Sequence, residues 1–223
     1  HFNKLRSAKI TASLAEGYTV GQAVSFLQQS MKDINNPTMS YDWSGQTREF
    51  LTSGDALAKA FVLAVLFIYL VLAAQFESFR DPLIIMFSVP LAMLGAVLAL
   101  KFTGGSLNVY SQIGLITLVG LITKHGILLV EFANQLQDQG HNKIQAVIES
   151  ASLRLRPILM TTAAMVLGAI PLAMAVGAGA EVRHPIGWVI VGGMTIGTIF
   201  TLFVIPCLYL LIGRVHQHES KTI

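Results

Sequence analysis

Long apolar stretches without charged residues dominate the chain after residue 59. A helix of about 20 apolar residues crosses the hydrocarbon core of a bilayer, and each of these stretches is near that length. They cover residues 60–76, 82–100, 102–123, 157–180 and, interrupted only by Arg183, 182–213. The pattern predicts a mostly α-helical polytopic membrane protein, with transmembrane helices at about 57–76, 82–102, 109–132, 157–178 and 185–213.

Residues 1–56 follow a different pattern. Apolar and polar residues alternate over positions 10–14, which predicts a half-buried strand. Apolar residues then recur every three to four positions over 20–31, which predicts a helix capped by Thr19. A second strand is predicted at 39–43. Because about 56 residues with one amphipathic helix bury too little apolar surface alone, we interpret this segment as part of a larger α/β domain.

The composition agrees with a membrane protein and argues against a soluble enzyme. Of the 223 residues, 53% are hydrophobic and 12% are charged, and the mean hydropathy is +0.63. The net charge of +3 comes from basic residues scattered at the predicted helix ends, so no nucleic-acid partner is expected. Cys207 is the single cysteine, which excludes a disulfide within the chain.

The Lys and Arg residues of the connections predict the orientation, because such residues concentrate on the cytoplasmic side of a membrane. Those on one side are Arg80, Lys143, Arg154, Arg156, Arg214 and Lys221. The alternate connections contain only Lys101 and Arg183, with Lys59 at the start of the first span. The tail, residues 214–223, is therefore expected in the cytoplasm and residues 1–56 in the periplasm. Since no export signal precedes residues 1–56, we expect further chain upstream.

An amphipathic helix is predicted at 141–156, where apolar residues at helical spacing face charged ones. Such a helix lies on a membrane surface, here the cytoplasmic one. It leads into Arg154 and Arg156, followed by Pro157. Arg154 and Thr161 are seven residues apart and share one helical face if the helix continues through Pro157. Anchoring of the positive charges at the cytoplasmic surface is the alternative interpretation of both arginines.

Lys124 is the unusual residue of the third predicted span. A lysine near the middle of a membrane costs about 3 kcal/mol or more. One interpretation is functional and requires a carboxylate at the same depth, which the charge-free stretches do not contain. The other is that the side chain extends toward the level of Glu131 and the membrane surface.

Glycines and prolines inside the spans predict local helix geometry. Gly193 and Gly197 form a small-xxx-small pair, which lets a neighbouring helix approach closely. Pro90, Pro171 and Pro206 each remove an intrahelical hydrogen bond and predict kinks.

Three sequence motifs, in this order and at these separations, resemble the C-terminal part of resistance-nodulation-division multidrug efflux transporters of the hydrophobe/amphiphile efflux class. They are Gln75-Phe-Glu-Ser-Phe79, the stretch from Gly120 through Lys124 to Ala133, and Arg154-Leu-Arg-Pro-Ile-Leu-Met-Thr161. The resemblance implies that residues 1–56 end a periplasmic porter subdomain and that the five spans match helices eight to twelve of twelve. It also implies a homotrimer in the inner membrane of a Gram-negative bacterium. With a periplasmic adaptor protein and an outer-membrane channel, such a pump exports small amphiphilic drugs, dyes and detergents in exchange for protons.

The resemblance also implies which residues carry the proton coupling. Lys124 matches the relay lysine of the family, Arg154 the relay arginine and Thr161 the relay threonine. Their partners, a pair of aspartates in the fourth helix of the family, lie outside this sequence. His125 and Gly126 stand where many members have Asn-Ala, so His125 either joins the relay by titrating or packs.

No cofactor is expected apart from protons as the coupling ion. His216, His218 and Glu219 in the tail do not form a predicted metal site. Two other functions stay open. One is a protein-translocation accessory of the same superfamily, and the other is an inactive fragment of a transporter.

Overall fold

The structure is a computed structural model that describes residues 7–12, 20–34, 40–105, 107–177 and 179–213. Two compact units divide the chain, His1–Leu51 and Thr52–Ile223. Within the described ranges the regular secondary structure is helical. Five of the helical segments are long and apolar enough to cross a membrane, so the predicted mostly α, five-span architecture is confirmed.

The first unit contains α1 (Val20–Ile34), which is the helix predicted there. Residues 7–12 and 40–44 have no regular secondary structure, so the strands predicted at 10–14 and 39–43 are not confirmed. Thr19 and positions 13, 14 and 39 lie outside the described residues. An alternating pattern forms a strand only when a neighbouring strand exchanges backbone hydrogen bonds with it, and the Ile10 side chain is 92% exposed. The expected partial α/β porter subdomain is thus not confirmed by the described part of this unit.

The first two spans are formed by α2 (Gln46–Phe76), α3 (Arg80–Met86) and α4 (Ser88–Phe102). Their membrane-length segments are Ala56–Phe76 and Arg80–Phe102. The helix of the second span is interrupted at Phe87, because Pro90 has no N–H to donate to the carbonyl of Met86. The Ser88 hydroxyl donates to the carbonyl of Ile85 at 2.7 Å beside this interruption. The irregularity expected at Pro90 is therefore present.

The remaining spans are formed by α5 (Val109–Asp138), α6 (Lys143–Ala173) and α7 (Ala180–Ile212). The surface helix predicted at 141–156 is not separate, since α6 continues through Pro157 into the fourth span. Packing on both sides of the proline explains the continuity. Ser150 donates to the carbonyl of Leu129 at 2.7 Å, and Ile158 is fully buried.

Two span boundaries differ from those predicted from the sequence. The fourth span ends at Ala173 instead of 178, and the fifth begins at Ala180 instead of 185. Gly177 and Gly179 lie between them with φ of 86° and 78°. Glycine adopts this left-handed backbone without a Cβ penalty, so the chain turns there.

The last helix, α7, packs against α4, α5 and α6. A Cβ placed on Gly197 would lie 2.8 Å from the Cβ of Ala92 in α4. Gly193 likewise faces the side chain of Leu118 in α5. The close helix approach predicted from the Gly193 and Gly197 pair is confirmed.

Candidate functional site

A capping box fixes the start of α5, the helix that contains Lys124. The Asn108 side chain accepts a hydrogen bond from the backbone N–H of Ser111 at 2.8 Å. The Ser111 hydroxyl in turn accepts one from the backbone N–H of Asn108 at 2.8 Å. These bonds satisfy donors that a helix N-terminus otherwise leaves unpaired. Because the helix has 30 residues, Lys124 lies near its middle.

The Lys124 side chain is exposed on the outside of this set of helices. Its neighbours Thr123 and His125 are both buried. Among the described residues, ion pairs join Arg48 to Asp42 and His141 to Glu149, and no ion pair involves Lys124. Within the described ranges Lys124 therefore has no carboxylate partner, and it forms no ion pair with Glu131. An exposed ammonium in the middle of a membrane-length helix calls for a compensating group outside these residues.

His125 lies in a buried polar cluster, which we call the hydroxyl cluster and define as His125, Thr162 and Thr198. The side chain of His125 is fully buried between α5, α6 and α7. Its Nε2 lies 3.5 Å from the hydroxyl oxygen of Thr162, and its Nδ1 lies 3.3 Å from that of Thr198. The two hydroxyl oxygens are 3.3 Å apart. The cluster thus joins α5, α6 and α7 at the residue that follows Lys124.

The hydrogen bonds of the cluster fit a neutral imidazole with its proton on Nε2. The Thr162 hydroxyl donates to the carbonyl of Ile158 at 2.8 Å, so it accepts from Nε2–H of His125. Nδ1 of His125 then accepts from the Thr198 hydroxyl. Every polar atom of the imidazole has a partner in this arrangement. One turn farther along α7, the buried hydroxyl of Thr201 has none among the described residues.

Arg154 lies two turns before Thr161 on α6. Its guanidinium carbon is 4.3 Å from the centroid of the Phe132 ring on α5, a cation–π contact. Its Nε atom is buried and forms no hydrogen bond within the described ranges. Arg156, by contrast, is exposed. The structure therefore separates the two arginines onto different faces of α6.

The contacts between α5 and α6 show the position of each candidate relay residue along the helix axis. Phe132 contacts Arg154 and His125 contacts Thr162, so the two helices run antiparallel. Thr161 is thus at about the level of Lys124, whereas Arg154 is seven residues away, about 10 Å along the helix axis. The Thr161 hydroxyl donates to the carbonyls of Pro157 and Ile158 in its own helix. The structure aligns Lys124 with Thr161 in depth but does not bring Arg154 to either of them.

Sequence reasoning singled out Thr161 and missed Thr162 and Thr198. The sequence contains part of the information needed to find them, because a histidine in an apolar helix needs hydrogen-bond partners on neighbouring helices. Adjacent threonines at 161–162 and the threonines of α7 are the available hydroxyls. Which of them meets His125 depends on helix rotation, which the sequence alone does not define.

Within the described residues, no group of three or more His, Cys, Asp or Glu side chains is placed to hold a metal ion. His216, His218 and Glu219 lie outside the described residues.

Comparison with known proteins identifies the family of the chain. The profile of the AcrB/AcrD/AcrF family matches residues 1–213. An uncharacterized transporter of Haemophilus influenzae is 51% identical over 99% of this chain and 23% of its own length. The toluene efflux pump membrane transporters TtgB and TtgE of Pseudomonas putida are 37% and 36% identical, over 95% and 99% of this chain. The chain covers only 20% and 21% of their length.

Five helices of the described residues are long and apolar enough to cross a membrane, and the relatives that the chain matches are named as membrane transporters. The chain belongs to the AcrB/AcrD/AcrF family of resistance-nodulation-division efflux transporters. It spans about a fifth of the length of the curated relatives it matches.

Proposed function

We propose that the intact transporter exports small amphiphilic drugs, dyes and detergents in exchange for protons. The observation that carries the proposal is Lys124 near the middle of α5, which is exposed and has no carboxylate partner among the described residues. A carboxylate supplied by another part of the transporter would pair with this ammonium. Protonation of that carboxylate would cancel the attraction and release Lys124. Helix packing would then respond to the proton, and the membrane potential would add about 2.3 kcal/mol per charge per 100 mV.

Thr161 and Arg154 complete the proposed relay on α6. Thr161 is level with Lys124, so its hydroxyl can exchange its intrahelical bond for one to the released ammonium. Arg154 carries a fixed positive charge, and its buried Nε has no hydrogen-bond partner among the described residues. That donor is available to a carboxylate or a water molecule when the helices move.

The substrate class and the assembly are parts of the same proposal. Two relatives are named as toluene efflux pumps. These names support apolar or amphiphilic small molecules as the substrates of this transporter. We propose a homotrimer in the inner membrane of a Gram-negative bacterium, with residues 1–56 in the periplasm and the tail in the cytoplasm. A periplasmic adaptor protein and an outer-membrane channel would complete the export path.

Reconstituted vesicles of the intact transporter test the coupling. We expect an imposed pH gradient to drive export of a fluorescent dye and a protonophore to abolish it. Export should also release part of the pH gradient, reported by a second, pH-sensitive dye. Dye export that continues at the same rate after the gradient and the membrane potential are collapsed would contradict proton antiport.

A further inference from the structure

A small cavity lies between α5, α6 and α7, one to two turns beyond His125 toward the C-terminal end of α5. Its wall consists of Leu129, Val130 and Ala133 of α5, Val147 and Ser150 of α6, and Ile205, Pro206 and Tyr209 of α7. The volume is ≈ 10 Å³, about what one water molecule requires. Ser150 and Tyr209 are the polar side chains of the wall, and none of its residues is charged.

Pro206 places an unsatisfied backbone acceptor at this cavity. It lies inside α7, and in an α-helix each carbonyl points along the axis toward the residue four positions later. The carbonyl of Leu202 is therefore directed at Pro206, which has no N–H to donate to it. A helix that spans a membrane tolerates proline where side chains or ordered water supply another donor, because hydrocarbon supplies none. The Leu202 carbonyl thus needs a donor from its surroundings.

The two hydroxyls of the cavity wall donate elsewhere. Ser150 is 2% exposed and donates to the carbonyl of Leu129 at 2.7 Å. The Tyr209 hydroxyl donates to Oδ1 of Asn134. Each hydroxyl has a single proton, so neither can also donate to the Leu202 carbonyl. The Ser150 oxygen retains its capacity to accept, and no donor among the described residues bonds to it. The cavity therefore has two acceptors that call for a donor.

The chemistry of these acceptors selects the ligand. An apolar molecule would leave the Leu202 carbonyl and the Ser150 oxygen unsatisfied. A cation would donate to both, but the wall has no carboxylate to balance its charge. A water molecule has one proton for each acceptor, carries no charge and matches the volume of the cavity.

From this geometry we infer that the cavity is a binding site for one water molecule, which donates to the Leu202 carbonyl and to the Ser150 hydroxyl oxygen. This water links α6 to α7 at the point where the backbone hydrogen bonding of α7 is interrupted. The buried hydroxyl of Thr201, one turn before Ile205 on α7, also has no partner among the described residues. Unsatisfied polar atoms are thus concentrated on this part of α7. The inference does not depend on the proposed proton antiport.

A structure of the full-length transporter in lipid nanodiscs tests the site directly, at a resolution that shows ordered water elsewhere in the protein interior. We expect a density peak within hydrogen-bonding distance of both the Ser150 hydroxyl oxygen and the Leu202 carbonyl oxygen. A cavity without this peak, in a map that shows other buried waters, would overturn the inference. A protein donor bonded to the Leu202 carbonyl would overturn it as well.

Radiolytic footprinting of the full-length transporter provides a test that needs no high-resolution map. X-rays convert water to hydroxyl radicals, so a buried water modifies the side chains beside it. Tyr209 is only 2% exposed but belongs to the cavity wall, whereas Met194 of the same helix is fully buried outside it. We expect modification of Tyr209 and protection of Met194, although methionine sulfur is readily oxidised. Tyr209 protected as fully as Met194 would contradict the water site.

Pro206→Ala supplies the missing N–H to the Leu202 carbonyl and so removes one acceptor from the site. We expect the modification of Tyr209 to be lost in this variant. Pro171→Ala is the matched control, because Pro171 lies inside α6 but is exposed and outside the cavity wall. It should leave the modification of Tyr209 at the wild-type level. Equal modification of Tyr209 in the wild type and both variants would contradict the inference.

Ser150→Ala tests whether Ser150 and the Leu202 carbonyl bind the same water. If they do, Pro206→Ala already releases this water, so the two substitutions are coupled. We expect Ser150→Ala to lower the melting temperature less in the Pro206→Ala background than in the wild type. Ser152→Ala is the control, since Ser152 is exposed and bonds to a carbonyl of its own helix, and its effect should be the same in both backgrounds. Equal effects of Ser150→Ala in the two backgrounds would contradict a shared water.

Discussion

Lys124 and His125 are consecutive in α5, but the first is exposed and the second is fully buried. Successive helical residues are rotated by about 100°, which places these two side chains on different faces. His125 contacts Thr162 on α6 and Thr198 on α7. The residue next to Lys124 therefore links α5 to both neighbouring helices through the hydroxyl cluster.

Replacing His125 by Phe should destabilise the transporter. The ring volume is roughly kept, but Thr162 and Thr198 lose the imidazole that bonds to both of them. Thr162 keeps its bond to the carbonyl of Ile158, but the Thr198 hydroxyl loses Nδ1 as its acceptor, and a buried polar group that loses its partner costs about 1–3 kcal/mol. We expect a lower melting temperature for the purified full-length transporter and a smaller decrease for His125→Asn, which keeps a donor and an acceptor. A melting temperature of His125→Phe equal to that of the wild type would contradict the hydrogen-bonding role.

The two arginines of α6 should respond differently to the same conservative change. Arg154 stacks on Phe132 with a buried Nε, whereas Arg156 is exposed. Lysine retains the charge of each but has no planar guanidinium. We expect Arg154→Lys to lower drug resistance by about tenfold, because lysine cannot reproduce the planar guanidinium, and Arg156→Lys to leave it nearly unchanged. Cells would be compared at matched amounts of transporter in the membrane, and equal losses in both variants would support simple anchoring.

The contact of α7 with α4 depends on Gly197. A Cβ there would lie 2.8 Å from the Cβ and 2.9 Å from the Cα of Ala92, so Gly197→Ala forces the helices apart. Overpacking of this kind costs about 1–3 kcal/mol. We expect a lower melting temperature for Gly197→Ala. At Gly120, a Cβ meets no atom of the described residues within 4 Å, so Gly120→Ala is the control. The same melting temperature for both variants would show that close packing at Gly197 is not needed.

The sequence was sufficient to predict the five spans, because charge-free apolar runs of this length have few other stable structures. It also identified the glycine pair of α7, since residues without large side chains are what closely packed helices require. The residues at which the helices begin and end were less predictable. The helix α6 continues through Pro157 because Ser150 is hydrogen-bonded to α5 and Ile158 is buried. The tendency of proline to end a helix does not predict these contacts.

The candidate site was predictable only in part. Lys124 stands out in the sequence because an isolated charge in an apolar helix is costly. Thr198 does not stand out, because its contact with His125 joins residues more than 50 positions apart in the sequence. The alternating residues near position 10 show the opposite limit, since their described part, residues 10–12, has no regular secondary structure.

The most direct test of the proton-coupling proposal is drug export by Lys124→Ala in the full-length transporter. Alanine removes the unpaired ammonium and lowers the cost of placing this helix in the membrane, so the protein should remain at normal abundance. Lys101→Ala is the matched control, because Lys101 is exposed at the end of α4. We predict that Lys124→Ala abolishes proton-driven dye export in reconstituted vesicles while Lys101→Ala retains it. Wild-type export by Lys124→Ala at matched abundance would contradict the assignment of Lys124 to the proton relay.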